Sequence, residues 1–303
     1  MSLPESAAVV TPLQPRRRPA LALGVALRPR QWSKNLLLFA GIVFAAEIGD
    51  PRRWLQAGAA LLLYCAASSA AYLLNDLVDA PADRLHPVKR RRPLARGELT
   101  RRTAALAAGA LALIAIVLAV SLGLVALGFL ALFLAIQAAY TFGLKHVAIV
   151  DVMAIAGLFV IRAAAGADAV DVRISPWLLV CTALLALFLA LGKRRGELVL
   201  VGAEATPGRS VLEGYSLALV DQLIGVVAGA TIVAYAVYTL TARESQALAV
   251  TIPFVLFGIL RYLLLLHRAG KGEEPENVLV TDVPILGTVA VWAAACAAIL
   301  VWS

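Results

Sequence analysis

Long apolar runs separated by short polar segments dominate the chain. Nine of these runs approach or reach the ~20 residues with which an α-helix crosses a bilayer. The pattern therefore predicts an all-α protein, a polytopic membrane bundle of about nine transmembrane helices. We place the helices at about 35–49, 54–74, 103–121, 123–142, 147–166, 175–192, 217–240, 247–266 and 283–302.

The connections between the runs differ in length and character. Ser121–Gly123 separates the third and fourth runs and predicts a very tight turn. Residues 1–20 are rich in Pro and Arg and are expected to be a disordered cytoplasmic N-terminus, with residues 21–303 forming a single transmembrane domain. RRRPALALGVAL has the charge-then-apolar order of a signal peptide, but its apolar run is short and no A-x-A site follows, so we predict no cleavage.

Composition supports the membrane interpretation. Hydrophobic residues make up 61% of the chain and charged residues only 15%, whereas soluble domains carry about 25% charged residues. The net charge of +8 would indicate nucleic-acid binding in a soluble protein. In a membrane protein, positive charge gathers on cytoplasmic loops, so we predict no nucleic-acid partner.

The distribution of Lys and Arg fixes the expected orientation. With the N-terminus inside, the inner segments hold 22 of these residues and the outer segments four. The positive-inside rule then predicts a multi-pass protein of the cell inner (plasma) membrane with a cytoplasmic N-terminus and an external C-terminus. The long connections 75–102, 193–216 and 267–282 all fall on the cytoplasmic side, where we expect the active site.

Acidic residues cluster directly after the second run, in NDLVDAPADRLHPVKRRRP at 75–93. Asp76, Asp79 and Asp83 have spacings that place them on one helical face. Carboxylates this close repel one another unless a divalent cation neutralises them, and Mg²⁺ prefers such oxygen ligands. Asn75 adds a neutral oxygen, and Pro81 is expected to bend or end the helix and shift Asp83 to a following turn.

The alternative for this segment is a solvated loop helix in which Arg84 and Lys89 pair with the carboxylates. Lys89 and Arg92 also fit a phosphate-binding cradle beside the carboxylates, or they serve only to fix topology. Cations for phosphate next to carboxylates for Mg²⁺ are the composition expected of a diphosphate site.

A second basic cluster, LGKRRGEL at 191–198, closes the sixth run. Lys193 and Arg194 are candidates for holding a phosphate, and Glu197 for pairing with Lys193 at i,i+4 or for joining a metal shell. The alternative is an anchor at the end of a membrane helix.

Further candidates lie at the cytoplasmic ends of other runs or inside them. Tyr140 and Lys145 fall at the inner membrane surface, and Lys34 and Asn35 are placed to reach a cytoplasmic cavity. Asp151 and Arg162 lie within the fifth run, where charges are costly and mark function. Eleven residues separate them by about 16 Å along a helix, so each needs a partner from another element.

These motifs together resemble a known family. N-D-x-x-D-x-x-x-D at 75–83, with RPRQWSKN at 28–35, YTFGLKH at 140–146, IRAAAG at 161–166 and GKRRGEL, resembles the intramembrane UbiA prenyltransferase superfamily. Within it, the chain looks most like the decaprenyl-phosphate phosphoribosyltransferase branch of cell-wall biosynthesis. The last third of the chain matches mainly in hydropathy.

The resemblance implies a helical bundle around a central cavity open to the cytoplasm and to lipid. It implies a transferase that moves 5-phosphoribose from phosphoribosyl diphosphate (PRPP) to a polyprenyl phosphate, with Mg²⁺ held by the catalytic Asp76, Asp79 and Asp83. A homo-oligomer, such as a trimer, is also expected, since small residues at 104–112 and 293–298 allow close helix packing. The substrate-binding candidates are Lys34, Asn35, Asn75, Lys89, Arg92, Tyr140, Lys145, Arg162, Lys193, Arg194 and Glu197.

One departure from the wider superfamily bears on the donor. Aromatic prenyltransferases usually carry a second motif, D-x-x-x-D, after the sixth span, and here G-K-R-R-G-E occupies that place. The change disfavours a second metal site and favours contact with an additional phosphate. Two alternatives stay open: a prenyltransferase with a prenyl diphosphate donor and a small aromatic acceptor, and a transporter that uses Asp151 and Arg162 as coupling groups.

Overall fold

The structure, a computed structural model, describes residues 17–44, 49–85, 89–173, 175–201, 210–241, 245–268, 278 and 281–302. Within these residues the regular structure is helical throughout. The α-helices are α1 (Pro19–Ala26), α2 (Ala40–Phe44), α3 (Pro51–Leu85), α4 (Arg101–Leu122), α5 (Leu124–Phe142), α6 (Val150–Ala169), α7 (Pro176–Val201), α8 (Leu217–Thr241), α9 (Ile252–His267) and α10 (Val283–Trp302).

Eight helices in the described part of the chain are long and apolar enough to cross a membrane, namely α3 to α10, with α9 extended by the preceding 3₁₀ helix Gln246–Thr251. The predicted all-α membrane bundle is therefore confirmed, and the chain is a multi-pass integral membrane protein. The first of the nine predicted spans, 35–49, is described only to residue 44. Here the chain forms a 3₁₀ helix, Pro29–Phe39, that continues into α2.

Small residues let this N-terminal segment lie directly on α6. A Cβ added at Gly166 would lie 2.6 Å from the Cα of Leu38, and one at Gly41 would lie 2.8 Å from the Cα of Ala167. Such close backbone contact is the usual way in which helices pack inside membranes. The contact fixes the residues on either side of Leu38 relative to the bundle.

The predicted tight turn between the third and fourth spans is confirmed. α4 ends at Leu122 and α5 begins at Leu124, so Gly123 alone connects them. Its φ of 121° is open to glycine and strained for other residues.

The longest helix, α3, corrects one expectation. It has 35 residues and is about 52 Å long at 1.5 Å per residue, well beyond the ~30 Å of bilayer hydrocarbon. Pro81 lies inside the helix and does not end it. Asp76, Asp79 and Asp83 therefore stay on one continuous helix, in the turns that follow the apolar part.

The core is divided between two groups of helices that meet at α6. One buried cluster joins α3, α4, α5 and α6, and includes Tyr64, Phe133 and Ile161. A second joins the start of α6 to α7, α8 and α9 and includes Val152 and Phe188. Contacts of α6 with both α5 and α7 bring the ends of these helices close to one another, and candidate residues such as Tyr140, Lys145 and Arg194 lie at or between those ends.

Candidate functional site

The last turns of α3 carry two buried carboxylates that converge on one arginine. Asp76 and Asp83 are only 1% and 2% exposed. Arg92 Nη1 donates to Asp76 Oδ1 at 3.1 Å and to Asp83 Oδ2 at 2.7 Å. Arg92 reaches them because the chain folds back on α3 through the 3₁₀ helix Lys89–Arg91. The candidate Lys89 is partly buried in that 3₁₀ helix, three residues before Arg92.

A second arginine, Arg28, contacts the same carboxylate, and sequence reasoning missed it. Arg28 Nη2 donates to Asp76 Oδ1 at 2.5 Å, and its Cζ lies 4.8 Å from the centre of the Tyr72 ring. Its backbone has φ 55° and ψ 57°, a left-handed conformation that is uncommon outside glycine and Asn or Asp. The one available signal was its place at the start of RPRQWSKN.

Serine 69 on α3 fixes the turn that carries Arg28. Ser69 Oγ donates to the carbonyl oxygen of Leu27 and accepts from Trp32 Nε1, both at 3.0 Å. Leu27 before Arg28 and Trp32 after it are therefore both bonded to α3. These two bonds hold the turn in the position in which the Arg28 guanidinium contacts Asp76.

The third carboxylate, Asp79, is more exposed and has its own partners. Lys145 Nζ donates to Asp79 Oδ1 at 2.7 Å, and Asn75 Nδ2 donates to Asp79 Oδ2 at 3.0 Å. Lys145 comes from the 3₁₀ helix Leu144–His146 that joins α5 to α6. The structure thus brings together Asn75, Asp79 and Lys145, three of the residues that the sequence analysis names as candidates.

Three carboxylates on α3 therefore meet three cations, from Arg28, Arg92 and Lys145. These partners differ from the Arg84 and Lys89 pairing considered from the sequence. Arg84 Nε instead lies 3.4 Å from the carbonyl oxygen of Ala95. The segment therefore forms a partly buried cluster of ion pairs and is not a solvated loop helix.

A second cluster surrounds Arg194 on α7, which is 3% exposed. Its Nε forms an ion pair with Asp151 Oδ2 at 2.8 Å, its Nη1 bonds Glu197, and its Nη2 lies 3.5 Å from the Tyr140 hydroxyl. Glu197 thus pairs with Arg194, three residues earlier on the same helix, and its pairing with Lys193 stays a prediction.

These ion pairs change the interpretation of GKRRGEL. Arg194 is already bound by two carboxylates, and Arg195 donates to Asp221 at 2.6 Å. Both guanidiniums are thus committed to carboxylates of the chain itself. Lys193 is partly buried beside them, and its contact with a phosphate stays a prediction.

Tyr215, just before α8, completes this cluster. It lies 64 residues from Asp151 along the chain, and sequence reasoning therefore missed it. Its hydroxyl donates to Asp151 Oδ1 at 2.7 Å and accepts from the Ile149 amide at 2.6 Å. Burial raises the pKa of the Tyr215 hydroxyl to about 12, and the hydrogen bond to Asp151 acts in the same direction. The hydroxyl therefore stays protonated at neutral pH.

Arg162 lies deeper in the bundle and is 4% exposed. Its Nε donates to Asn35 Oδ1 at 2.9 Å and its Nη1 to the Leu158 carbonyl at 3.1 Å, with the Phe133 ring centre 4.9 Å from Cζ. The expectation that Arg162 and Asp151 each meet a partner from another element is confirmed. Asn35 is fully buried, and its hydrogen bond with Arg162 connects the N-terminal 3₁₀ helix to α6. Lys34, the residue before Asn35, is only partly buried.

The donor groups of the first cluster fit a divalent cation. Asp76 and Asp83 converge on a position now taken by a cationic nitrogen, and Asp76 Oδ2 and Asp83 Oδ1 accept no hydrogen bond from the described residues. Among those residues, no three His, Cys, Asp or Glu side chains are arranged to hold a metal by themselves. Two carboxylates completed by phosphate and water are the ligands that Mg²⁺ commonly takes.

Comparison with known proteins finds matches over most of the chain. The model of the UbiA prenyltransferase family matches residues 36–276. Decaprenyl-phosphate phosphoribosyltransferase from Mycolicibacterium smegmatis is 37% identical over 277 residues, 85% of each chain. The protein of the same name from Corynebacterium glutamicum is 33% identical over 282 residues, covering 89% of this chain and 83% of the relative.

Solved structures share the fold at lower sequence identity. A UbiA homolog from Archaeoglobus fulgidus bound to GPP and Mg²⁺ superposes with a TM-score of 0.70 at 19% identity, covering 93% of this chain and all of the other. The same homolog bound to Cd²⁺ gives a TM-score of 0.68 at 17% identity, with the same coverage of both chains.

Proposed function

Because the chain belongs to the UbiA prenyltransferase family, we propose that it transfers 5-phosphoribose from PRPP to a polyprenyl phosphate of the decaprenyl type and releases diphosphate. The relatives named for decaprenyl phosphate and phosphoribosyl transfer are 33% to 37% identical over most of the chain. The observation that carries the proposal is the cluster on α3, in which buried carboxylates and partly exposed cations meet at the end of a membrane helix.

Asp76 and Asp83 would hold a Mg²⁺ ion, with Asp79 as the third carboxylate of the set. The bound ion would supply charge that stabilises the departing diphosphate. This role is consistent with the carboxylate oxygens that lack partners among the described residues, and with the metal-bound structures of the Archaeoglobus fulgidus homolog.

The cations of the cluster would bind the donor's phosphates. The side chains of Arg28, Arg92 and Lys145 are 25%, 24% and 17% exposed, so each is reachable from water while anchored to a carboxylate. Lys89 lies three residues before Arg92 and adds positive charge, and Lys193 on α7 is proposed to contribute a further cation. Arginine is suited to phosphate because its planar fork donates two parallel hydrogen bonds.

The reaction needs no general base in this proposal. A polyprenyl phosphate is already an anion at neutral pH, and its oxygen attacks C1 of the ribose. The new C1–O bond forms as the bond from C1 to the diphosphate oxygen breaks, with inversion at C1. The protein contributes orientation of the two substrates and fixed positive charge where the leaving group develops negative charge.

We further propose that the site faces the cytoplasm of the inner membrane, where soluble PRPP is available. The 22 to 4 division of Lys and Arg supports a cytoplasmic N-terminus and an external C-terminus. The polyprenyl tail would remain in the bilayer beside the bundle.

A homo-oligomer, such as a trimer, is part of the same proposal. The small-residue runs 104–112 on α4 and 293–298 on α10 are partly exposed on the single chain, so both offer surface for close helix packing between copies. Native mass spectrometry from detergent would give the number of copies, and a monomer at all concentrations would contradict this part of the proposal.

The test uses purified protein in detergent with radiolabelled PRPP, decaprenyl phosphate and Mg²⁺, and follows label into the lipid phase. We expect transfer that stops with EDTA and in Asp76→Asn, and that continues in Asp50→Asn, a control far from the cluster. No transfer with retained PRPP binding would point to another lipid acceptor. Absence of PRPP binding would refute the proposal in favour of a prenyl diphosphate donor.

A further inference from the structure

Helix α6 begins behind a residue in a strained conformation. Ile149 has φ 69° and ψ −46°, and a β-branched residue with positive φ is a genuine outlier. Such conformations persist only where the surroundings hold them, and they concentrate at functional sites. The side chain of Ile149 makes no capping hydrogen bond to the helix, so contacts with other residues must hold its backbone in this conformation.

Tyr215 supplies that restraint. Its hydroxyl accepts from the Ile149 amide at 2.6 Å and donates to Asp151 Oδ1 at 2.7 Å, so one oxygen bonds to both sides of the α6 N-terminus. The segment before Tyr215 also touches the turn, because a Cβ added at Gly214 would lie 2.9 Å from Ala148 Cβ. Tyr215 is 6% exposed, which makes the loss of either bond costly.

The restrained turn carries a cation of the proposed donor site. Lys145 lies four residues before Ile149 and reaches Asp79 with its Nζ at 2.7 Å. On the other side, Asp151 pairs with Arg194 at 2.8 Å. The conformation at Ile149 therefore sets the direction from which the chain enters α6 and, with it, the position of Lys145 in the preceding 3₁₀ helix.

We propose that Tyr215 is a positioning residue for donor binding. Its hydroxyl holds the strained turn at Ile149 in the conformation that places Lys145 beside Asp79, and it touches no substrate itself. The proposal rests on the proposed function, because it assigns Lys145 to the phosphates of PRPP.

The first test replaces Tyr215 by phenylalanine and measures the reactivity of the Lys145 amine, which requires no phosphoribosyl transfer. Amine acylation of Lys145, followed by mass spectrometry, reports its ion pair with Asp79, and amide hydrogen exchange reports the Ile149 turn. In Tyr215→Phe we expect the acylation rate of Lys145 and the exchange rate of the Ile149 turn to rise about tenfold, the factor that corresponds to a loss of ~1.4 kcal/mol. Tyr262→Phe is the matched control, since the Tyr262 hydroxyl is buried and has no hydrogen-bond partner among the described residues.

The second test asks whether the effect reaches the donor through Lys145. Tyr215→Phe should raise KM for PRPP about tenfold and change kcat less, as expected for lost ground-state binding. Adding Lys145→Ala to Tyr215→Phe should raise KM little beyond Lys145→Ala alone, because residues acting through one contact are not additive. Adding Ile149→Gly to Tyr215→Phe should bring KM back toward wild type, since glycine adopts positive φ without strain.

Additive KM effects, or unchanged Lys145 acylation and Ile149 exchange in Tyr215→Phe, would overturn the proposal. A wild-type protein that transfers no phosphoribose would instead refute the proposed function. In that case the acylation and exchange measurements still decide whether Tyr215 sets the position of Lys145, so the two failures are distinguishable.

Discussion

Replacing Asp76 by asparagine separates the structural role of this carboxylate from its role in the reaction. Asp76 is 1% exposed and accepts from both Arg28 and Arg92. Asparagine has nearly the same shape and keeps one oxygen acceptor, but it removes the negative charge. The change should therefore leave the fold intact while it weakens two charge-assisted hydrogen bonds.

The size of the effect follows from these two bonds. Hydrogen bonds to charged groups contribute about 1.5–3 kcal/mol each and are roughly twice as strong as neutral ones. Losing about half of each gives a loss of ~2 kcal/mol in the free energy of unfolding, or about 3 °C in the melting temperature of a chain of 303 residues. Asp79→Asn should lose ~1 kcal/mol or less, because Asp79 and Lys145 are 22% and 17% exposed.

The assay is thermal unfolding in detergent with EDTA present, followed by metal-dependent phosphoribosyl transfer in separate samples. We expect Asp76→Asn to melt clearly below Asp79→Asn, and both variants to lose Mg²⁺-dependent transfer. Added Mg²⁺ should raise the melting temperature of the wild type and not that of Asp76→Asn, because binding to the folded state stabilises it.

One result would refute this reasoning. If Asp76→Asn melts at or above the wild type in EDTA, the desolvation of the buried carboxylate outweighs its attraction to the two arginines. The ion pairs would then be maintained for metal and substrate binding at the expense of stability.

Three further predictions concern other parts of the molecule. Arg28→Ala should weaken Mg²⁺-dependent transfer at least tenfold, since Arg28 fixes Asp76, whereas the exposed Arg30→Ala should not; equal losses would argue against the Arg28 contact. Gly166→Ala should lower the melting temperature by several degrees because its Cβ would clash with the neighbouring backbone, whereas Gly157→Ala has open space and should be tolerated. A phosphatase fused to the C-terminus should be active outside the cell and inactive when fused to the N-terminus, and the reverse pattern would overturn the proposed orientation.

The sequence alone determined the class of the fold. The lengths of the apolar runs predict membrane helices because helix rise and bilayer thickness are both fixed. The junction of two such runs at Ser121–Gly123 predicts the tight turn that the structure shows at Gly123. The spacing of Asp76, Asp79 and Asp83 placed them on one helix face for the same reason, since the helical period is local. The expectation that Pro81 would end the helix was wrong, because α3 continues through it to Leu85 although proline removes one backbone hydrogen bond.

The tertiary structure alone decided which charges meet. The partners of the α3 carboxylates lie as far as 48 residues away in Arg28 and 66 in Lys145, and Arg162 finds Asn35 across 127 residues. Periodicity carries no information at such separations, so sequence reasoning supplied the residue types and left the pairs open. The packing of α6 between α5 and α7 brings Tyr215, Asp151 and Arg194 together, and a buried charge then takes whichever partner that packing places within reach.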